Sequence, residues 1–278
     1  MAAGTLYVVA TPIGNLGDLT LRGIETLRAV DRIVAEDTRR TRGLLSHLGI
    51  SGKAVDRLDA NAEAHDVART VAHLEAGESV ALCTDAGTPI VSDPGTALVR
   101  AAIAVGATVV PIPGASAVLA AIAISGLVTG GFRFVGFLAR SGPERRADIT
   151  RIVATTESVV LFESPQRTAD TIVELAQAMP EREVVVAREL TKMHEEAVRG
   201  TLAELAALAP REWLGEVTIV LGPAKERVGP GMSDEAVDAR IDDELALGRR
   251  AKDVAEAIAI ESGRPKREIY GRVVARRG

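Results

Sequence analysis

The chain has 278 residues, 47% of them hydrophobic and 26% charged, with a formal net charge of −5. That length suits one large or two modest domains, and the composition excludes extensive disorder. No apolar run approaches the roughly 20 residues of a membrane-spanning helix. The single cysteine, Cys83, excludes an internal disulfide and a cysteine-based metal cluster. His47, His65, His73 and His194 are scattered without metal-ligand spacing, so no metal is expected. No Lys or Arg precedes Arg22; Leu6 to Ala10 therefore reads as a buried strand rather than a secretory signal, and a cytoplasmic protein is expected.

Short runs rich in Val and Ile alternate with helix-period segments, the pattern of an α/β fold. The first predicted strand, Leu6 to Ala10, runs into the Gly/Pro loop Thr11-Pro12-Ile13-Gly14-Asn15-Leu16-Gly17-Asp18. The second, Arg32 to Ala35, precedes Glu36-Asp37-Thr38-Arg39-Arg40-Thr41-Arg42. Arginine forks grip phosphate or carboxylate bidentately, and a carboxylate beside them can hold or deprotonate a hydroxyl. The plainer reading is a helix start with acids at its positive end. A helix is predicted over Ala62 to Glu75, with Val67, Val71 and Leu74 on one side.

The strand Val80 to Cys83 leads into Thr84-Asp85-Ala86-Gly87-Thr88-Pro89-Ile90-Val91-Ser92-Asp93-Pro94-Gly95, before a helix beginning near Pro94. Glycines and prolines at the carboxyl end of a strand let backbone groups approach a ligand closely. Asp85 and Asp93 disfavour phosphate there and favour a cationic or hydroxyl-bearing ligand. A helix cap at Ser92 or Asp93 would account for 92 to 94, but not for Asp85 to Pro89. After the strand Thr108 to Ile112, Pro111 to Ser116 is a third such loop. Three Gly/Pro loops at strand carboxyl ends would converge on one rim.

Further strands are predicted at Phe132 to Phe137, Val159 to Phe162, Val184 to Ala187 and Val217 to Leu221, with a helix from Gln166 to Ala178. Arg140, Arg145 and Arg146 form a basic loop; Glu163-Ser164-Pro165-Gln166-Arg167 and Glu189-Leu190-Thr191-Lys192 repeat the acid-base theme. Phe132 and Phe134 alternate along one strand, which favours core packing over base stacking. Dinucleotide and P-loop glycine signatures are missing, and Gly114-Ala115-Ser116-Ala117-Val118 lacks the closing glycine of a nucleophile elbow.

The expected organisation is an N-terminal α/β domain over 1–112, a second over 113–222, a linker over 223–232 and a basic helical tail over 233–278. Three short tail helices are predicted, Asp234 to Leu247, Lys252 to Ser262 and Lys266 to Arg276, sharing a core of Ala255, Ile258, Ala259, Ile269, Val273 and Val274. The last pair resembles a helix-turn-helix in miniature. Residues 233 to 248 carry a local −5 and residues 249 to 278 a local +5, so the last thirty residues are the expected patch for an anionic partner. A plain helical tail is the alternative.

Six ordered motifs carry a family resemblance: Gly4 to Leu16, Ala35-Glu36-Asp37-Thr38-Arg39, Asp85 to Gly95, Pro113-Gly114-Ala115-Ser116, Glu163 to Arg167 and Arg188 to Lys192. Over residues 4 to 222 the chain resembles the 16S rRNA (cytidine 2′-O)-methyltransferases. These belong to the tetrapyrrole methylase-like, class III, S-adenosylmethionine-dependent superfamily. The resemblance implies a two-domain fold with the cofactor in the cleft between domains, 16S rRNA or the small ribosomal subunit as partner, and a homodimer.

It further implies that Asp85, Gly87, Thr88, Pro89, Ile90, Ser116 and Ala117 line the cofactor, with Pro12, Phe162, Leu190 and Thr218 closing the pocket. Glu36, Asp37 and Asn15 are the candidate catalytic groups. Arg39, Arg40, Asn61, Arg140, Arg167 and Lys192 are the candidate RNA contacts. The chain departs from the family at Leu58-Asp59-Ala60-Asn61-Ala62, where two histidines are replaced, and at Ala139, where proline is common. Two alternatives are a methylase of a small tetrapyrrole-like substrate and a catalytically relaxed RNA-binding homologue.

Overall fold

The computed structural model describes residues 3–58, 63–208, 211–224 and 232–277. They divide into two units, Met1–Pro223 and Ala224–Gly278. The first unit begins with β1 (Thr5–Val9), α1 (Leu21–Ala29), β2 (Arg32–Ala35), α2 (Thr38–His47), β3 (Ala54–Arg57), α3 (Glu63–Glu75), β4 (Val80–Cys83), α4 (Thr96–Ala104) and β5 (Thr108–Ile112). These strands form one parallel sheet in the order β3-β2-β4-β1-β5. Leu6, Val34 and Leu82 face one layer with Leu74 and Leu98, while Val9, Ile33 and Ala81 face the other with Leu27 and Leu45. A sheet covered on both faces buries both registers of its central strands, hence the apolar runs of β2 and β4.

The chain continues through α5 (Ala117–Ser125), β6 (Phe132–Phe137), α6 (Gly142–Ala154), β7 (Ser158–Glu163), α7 (Pro165–Ala178), β8 (Glu183–Arg188), β9 (Glu196–Thr201), α8 (Leu202–Ala207) and β10 (Val217–Leu221). Here the sheet order is β6-β7-β10-β8-β9, and only the β6–β7 pair is parallel. The apolar α5 covers the face of Val160, Val185 and Val220. Helices α6, α7 and α8 cover the opposite face, where Leu161, Val186 and Ile219 lie. Among the described residues no helix is long and apolar enough to cross a membrane.

Two strands, β3 and β9, escape the hydropathy pattern. Both are sheet edges without a single buried residue, and an edge strand needs no apolar run to be held. Helix α4 starts at Thr96 behind Gly95, two residues past Pro94, and no side chain caps it. Ser92 and Asp93 are thereby left to other work. Phe132 and Phe137 are exposed on the edge strand β6, so of its three phenylalanines Phe134 alone joins the core, beside Val135 on the opposite face.

The second unit consists of α9 (Asp234–Ala246), α10 (Ala251–Ser262) and α11 (Lys266–Arg277) around Val237, Ile241, Val254, Ala255, Ile258, Ile269 and Val273. Val274 is exposed, because neighbouring helical residues point about 100° apart and Val273 takes the inward position. Several of the basic residues expected to meet an anionic partner are paired within the unit, while Arg250, Lys252 and Arg267 are exposed. Arg264 and Arg272 both reach Asp234 at 2.5 Å, Arg276 bridges Asp238 and Asp242 at 2.9 Å, and Arg249 pairs with Glu244 at 2.6 Å. The acids of α9 thus pair with Arg249, Arg264, Arg272 and Arg276.

Candidate functional site

Because the first sheet is parallel, the carboxyl ends of β1, β2, β4 and β5 share one edge and their loops meet there. Thr11 and Gly87 form an isolated bridge, with Thr11 N donating to Gly87 O at 2.8 Å and Gly87 N to Thr11 O at 3.0 Å. Thr11 Oγ1 donates to Thr84 O at 3.0 Å, and Thr88 Oγ1 to Ala115 O at 3.2 Å. These bonds tie the three Gly/Pro loops into one rim. The backbone is strained along it: Ile90 and Ser92 have φ of 76° and 68°. For a β-branched residue that is a genuine outlier, and such strain persists only where the surroundings hold it, commonly at ligand sites. The other non-glycine residues with positive φ among those described, Glu189 and Thr191, occupy a loop of the second half.

The opposite wall comes from the second sheet. Since β10 runs antiparallel to β7, Thr218 pairs with Phe162 and Val217 with Glu163, so the start of one strand and the end of the other face the rim together. A register shift between Phe134 and Phe137 carries β6 toward the first half, where a Cβ on Gly136 would lie 3.2 Å from Ser92 Oγ. The Phe162 ring packs between Phe134, at 5.0 Å, and Phe137, at 5.5 Å. Asn15 N donates to Thr191 Oγ1 at 3.1 Å, joining the walls at one end. They enclose a cavity of about 460 Å³.

Of the expected cofactor residues, Asp85, Gly87, Thr88, Ser116, Ala117, Phe162 and Thr218 line this cavity. Pro12, Pro89, Ile90 and Leu190 are not among its lining residues; Leu190 belongs to the apolar layer beneath α5. Glu36 and Arg40 reach the cavity, whereas Asp37 does not. Its carboxylate caps α2, accepting the N–H of Arg39 at 2.8 Å and of Arg40 at 3.4 Å. The bond from Arg39, ahead of the other influences, holds that carboxyl below its ordinary range, which makes Asp37 a poor proton acceptor. Asn15 likewise caps the short turn Leu16–Asp18, accepting Gly17 N at 2.9 Å.

The expected RNA contacts separate in the same way. Arg39 and Arg140 are exposed outside the cavity. Arg167 is turned inward onto Glu163 at 2.5 Å and also donates to Leu138 O and Ala139 O. Lys192 bridges Glu189 and Glu216, each at 2.9 Å. Arg167 is an internal brace, its partner Glu163 being fully buried, whereas Lys192 is held between the part-buried Glu189 and the exposed Glu216. Asn61 lies outside the described residues.

The site is also lined by Asp93, read in the sequence as one of the two acids of its loop but not as an individual contact, and by the unforeseen Ser92, Phe137, Gly215 and Glu216. The Asp-Pro-Gly turn after Ser92 was a signal for Ser92 and Asp93. Gly215 and Glu216 gave none, because they precede a strand and strand direction is not written locally. Asp93 is half-buried, and burial, supplemented by the charge of Asp85, raises its carboxyl above the ordinary aspartate value against an opposing Thr84 hydroxyl. Among the described residues no group of three or more His, Cys, Asp or Glu is arranged to hold a metal ion.

Comparison with known proteins puts this geometry in context. The chain is similar to ribosomal RNA small subunit methyltransferase I of Halalkalibacterium halodurans, at 41% identity over 96% of this chain and 93% of that protein. It is similar at 42% to the protein of the same name from Neisseria meningitidis serogroup A, over 97% and 93%. Its fold matches uroporphyrin-III C-methyl transferase from Thermus thermophilus complexed with S-adenyl homocysteine, with a TM-score of 0.57 at 20% identity, over 79% of this chain and 97% of that one. A family model matches residues 5–206, and the chain belongs to the tetrapyrrole (corrin/porphyrin) methylases.

Proposed function

We propose that the chain transfers the methyl group of S-adenosylmethionine to the ribose 2′-hydroxyl of a cytidine in 16S ribosomal RNA. One observation carries the reading over a small-tetrapyrrole substrate. The rRNA methyltransferase relative matches 96% of this chain, too much to leave out the helical unit. The uroporphyrin-III enzyme uses 97% of its own length and leaves about a fifth of this chain without a counterpart.

The lining of the cavity fits the donor. Phe162, Ile13 and Val91 offer apolar surface, Thr88 and Ser116 hydroxyls, and Asp85 a carboxylate for an ammonium or a ribose diol. At Gly87, with φ of 84°, the backbone comes close to the cavity without a Cβ in the way. When bound, S-adenosylmethionine supplies an electrophilic methyl group on a positively charged sulfur. Glu36, Asp85 and Asp93 give the cavity a negative field that favours a cationic ligand. Arg40 at its edge and the exposed Arg39 are suited to gripping RNA phosphates. The chain's own contribution to rate is then alignment of the hydroxyl, exclusion of water by the apolar walls, and acceptance of one proton.

A homodimer and a cytoplasmic location belong to the same proposal. The test is transfer of labelled methyl to small ribosomal subunits, naked 16S rRNA and precorrin-like compounds. The expected product is an RNA whose labelled phosphodiester resists alkali, since a methylated 2′-oxygen cannot attack the phosphate. Label on a tetrapyrrole or on a base overturns the substrate assignment, and uptake of donor without transfer identifies a relaxed binding homologue.

A further inference from the structure

Three carboxylates from the first half line the cavity: Glu36, Asp85 and Asp93. Asp85 is engaged, with Oδ1 accepting Asp37 N at 3.0 Å and Oδ2 facing Arg40 at 3.6 Å. Glu36 is not free either. Asp93 differs from Asp85, whose Oδ2 faces Arg40: burial, the Thr84 hydroxyl and the charge of Asp85 are what act on the Asp93 carboxyl. The turn that carries it is fixed from several sides. Ile90 and Ser92 hold left-handed backbone before it. Gly95 follows at φ of 128°, where a Cβ would strike Leu82 Cδ2 at 2.9 Å, so the turn is pressed onto the sheet. Ser92 meets the backbone of β6 at Gly136. Helix α4 takes no cap from this turn, so helix initiation does not explain the strain.

We propose that Asp93 is a catalytic residue, accepting the proton of the attacking ribose hydroxyl; the inference rests on the ribose-methylation reading above. The O–H bond breaks and its proton passes to an Asp93 carboxylate oxygen. The 2′-oxygen bonds to the methyl carbon, and the carbon–sulfur bond breaks with its electron pair remaining on sulfur. A sulfonium and a carboxylate thus become a neutral thioether, in S-adenosylhomocysteine, and a neutral carboxylic acid. An acceptor works best when its proton affinity approaches the operating pH, and burial together with Asp85 moves Asp93 in that direction. Glu36, Arg40, Asp85, Glu163 and Glu216 are the charged groups that face the same cavity, and of these Asp85 is the one that acts on the Asp93 carboxyl.

The experiment compares wild type, Asp93→Asn and Asp93→Glu, using S-adenosylmethionine and small ribosomal subunits. Asp93→Asn is expected to lower kcat by roughly 10²- to 10⁴-fold, while its affinity for S-adenosylhomocysteine, read by calorimetry, stays within about threefold of wild type. The acidic limb of the kcat/KM profile should vanish in Asp93→Asn, and Asp93→Glu should recover part of the rate. Turnover within about tenfold of wild type, or cofactor affinity falling in step with kcat, overturns the proposal. A second readout needs no substrate: the carboxyl ¹³C resonance missing from Asp93→Asn should titrate above those of exposed aspartates, and titration alongside them overturns the assignment. A wild type that methylates no small-subunit RNA refutes the substrate reading instead, and the carboxyl titration then decides on Asp93.

Discussion

The Glu189 carboxylate occupies the space that a side chain on Gly215 would need: a Cβ there would come within 2.1 Å of Glu189 Oε1. The same oxygen accepts Lys192 Nζ at 2.9 Å and Glu216 N at 3.0 Å, beside the cavity wall that Gly215, Glu216 and Thr218 provide. Gly215→Ala displaces Glu189 and also places a Cβ on left-handed backbone, the latter costing about 1–2 kcal/mol by itself. The urea midpoint and the affinity for S-adenosylhomocysteine should fall together; an unchanged midpoint would refute the contact.

Glu163 ends β7 as a buried carboxylate, paired with Arg167 at 2.5 Å and Arg145 at 3.8 Å, and accepting the Thr171 hydroxyl and Ser164 N–H at 2.8 Å each. Removing one partner of a buried pair costs about 3–5 kcal/mol, and Arg145 should hold the loss near the lower end. Arg167→Ala is therefore expected to lose about 3 kcal/mol of unfolding free energy. Arg167→Lys should recover only part, because an ammonium cannot also span Leu138 O and Ala139 O as the guanidinium does. A variant of full stability with weakened RNA binding would return Arg167 to the substrate.

Salt dependence separates the two groups of arginines. The side chains of Arg39 and Arg40 are 90% and 65% exposed, whereas Arg272 is 26% exposed and held by Asp234 and Asp238. Each lost phosphate contact lowers the slope of log affinity against log salt by about 1. Arg39→Ala and Arg40→Ala should each show that drop, and Arg272→Ala should not. A flattened slope for Arg272→Ala alone would make the helical unit the RNA-binding element.

Acid should act on the two loops with opposite sign. Lys192, bonded to Glu189, is the chief reason that carboxyl sits below its ordinary 4.5, so its stabilisation is complete above 4.5 and is lost as pH falls through the lowered value. Asp93 lies above its ordinary 3.8, so its ionisation destabilises the fold at neutral pH and protonation relieves this as pH falls toward 3.8. Glu189→Gln should lower Tm at neutral pH with the difference closing in acid. Asp93→Asn should raise Tm at neutral pH with the gain closing in acid. Parallel Tm curves for either variant would contradict the assignment.

The thiol of Cys83, buried at the end of β4, is pushed up to about 12 by burial. At about pH 8, where an ordinary free thiol reacts readily, iodoacetamide should leave the native protein unmodified and alkylate it once urea unfolds it. Alkylation under native conditions would mean that the loop from Thr84 opens far more often than its bridge to Thr11 implies.

Much of the molecule could be read along the chain. Central strands such as β4 and β10 are buried on both faces, so their apolar runs stand out, while the edges β3 and β9 carry mixed residues and do not. The Gly/Pro loops were legible as turns at strand ends because glycine and proline punctuate backbone conformation locally, and their bonds to one another bring them to one rim. The same local reading placed Asp37 among catalytic groups. Only the α2 cap shows where its carboxylate points.

By itself the amino-acid sequence determined the α/β class, the three loops at strand ends and the helical character of the last residues, all of which depend on short-range periodicity and turn chemistry. Tertiary structure decided which charges face ligand and which face one another. Arg167, Lys192 and Arg272 look like anion-binding residues in sequence, yet each meets carboxylates supplied wholly or in part by other elements. Strand direction did the rest, since the antiparallel β10 brings Gly215 to the cavity from the amino end of its strand. Pairings of that kind depend on which elements become neighbours in space, and local spacing carries no record of it.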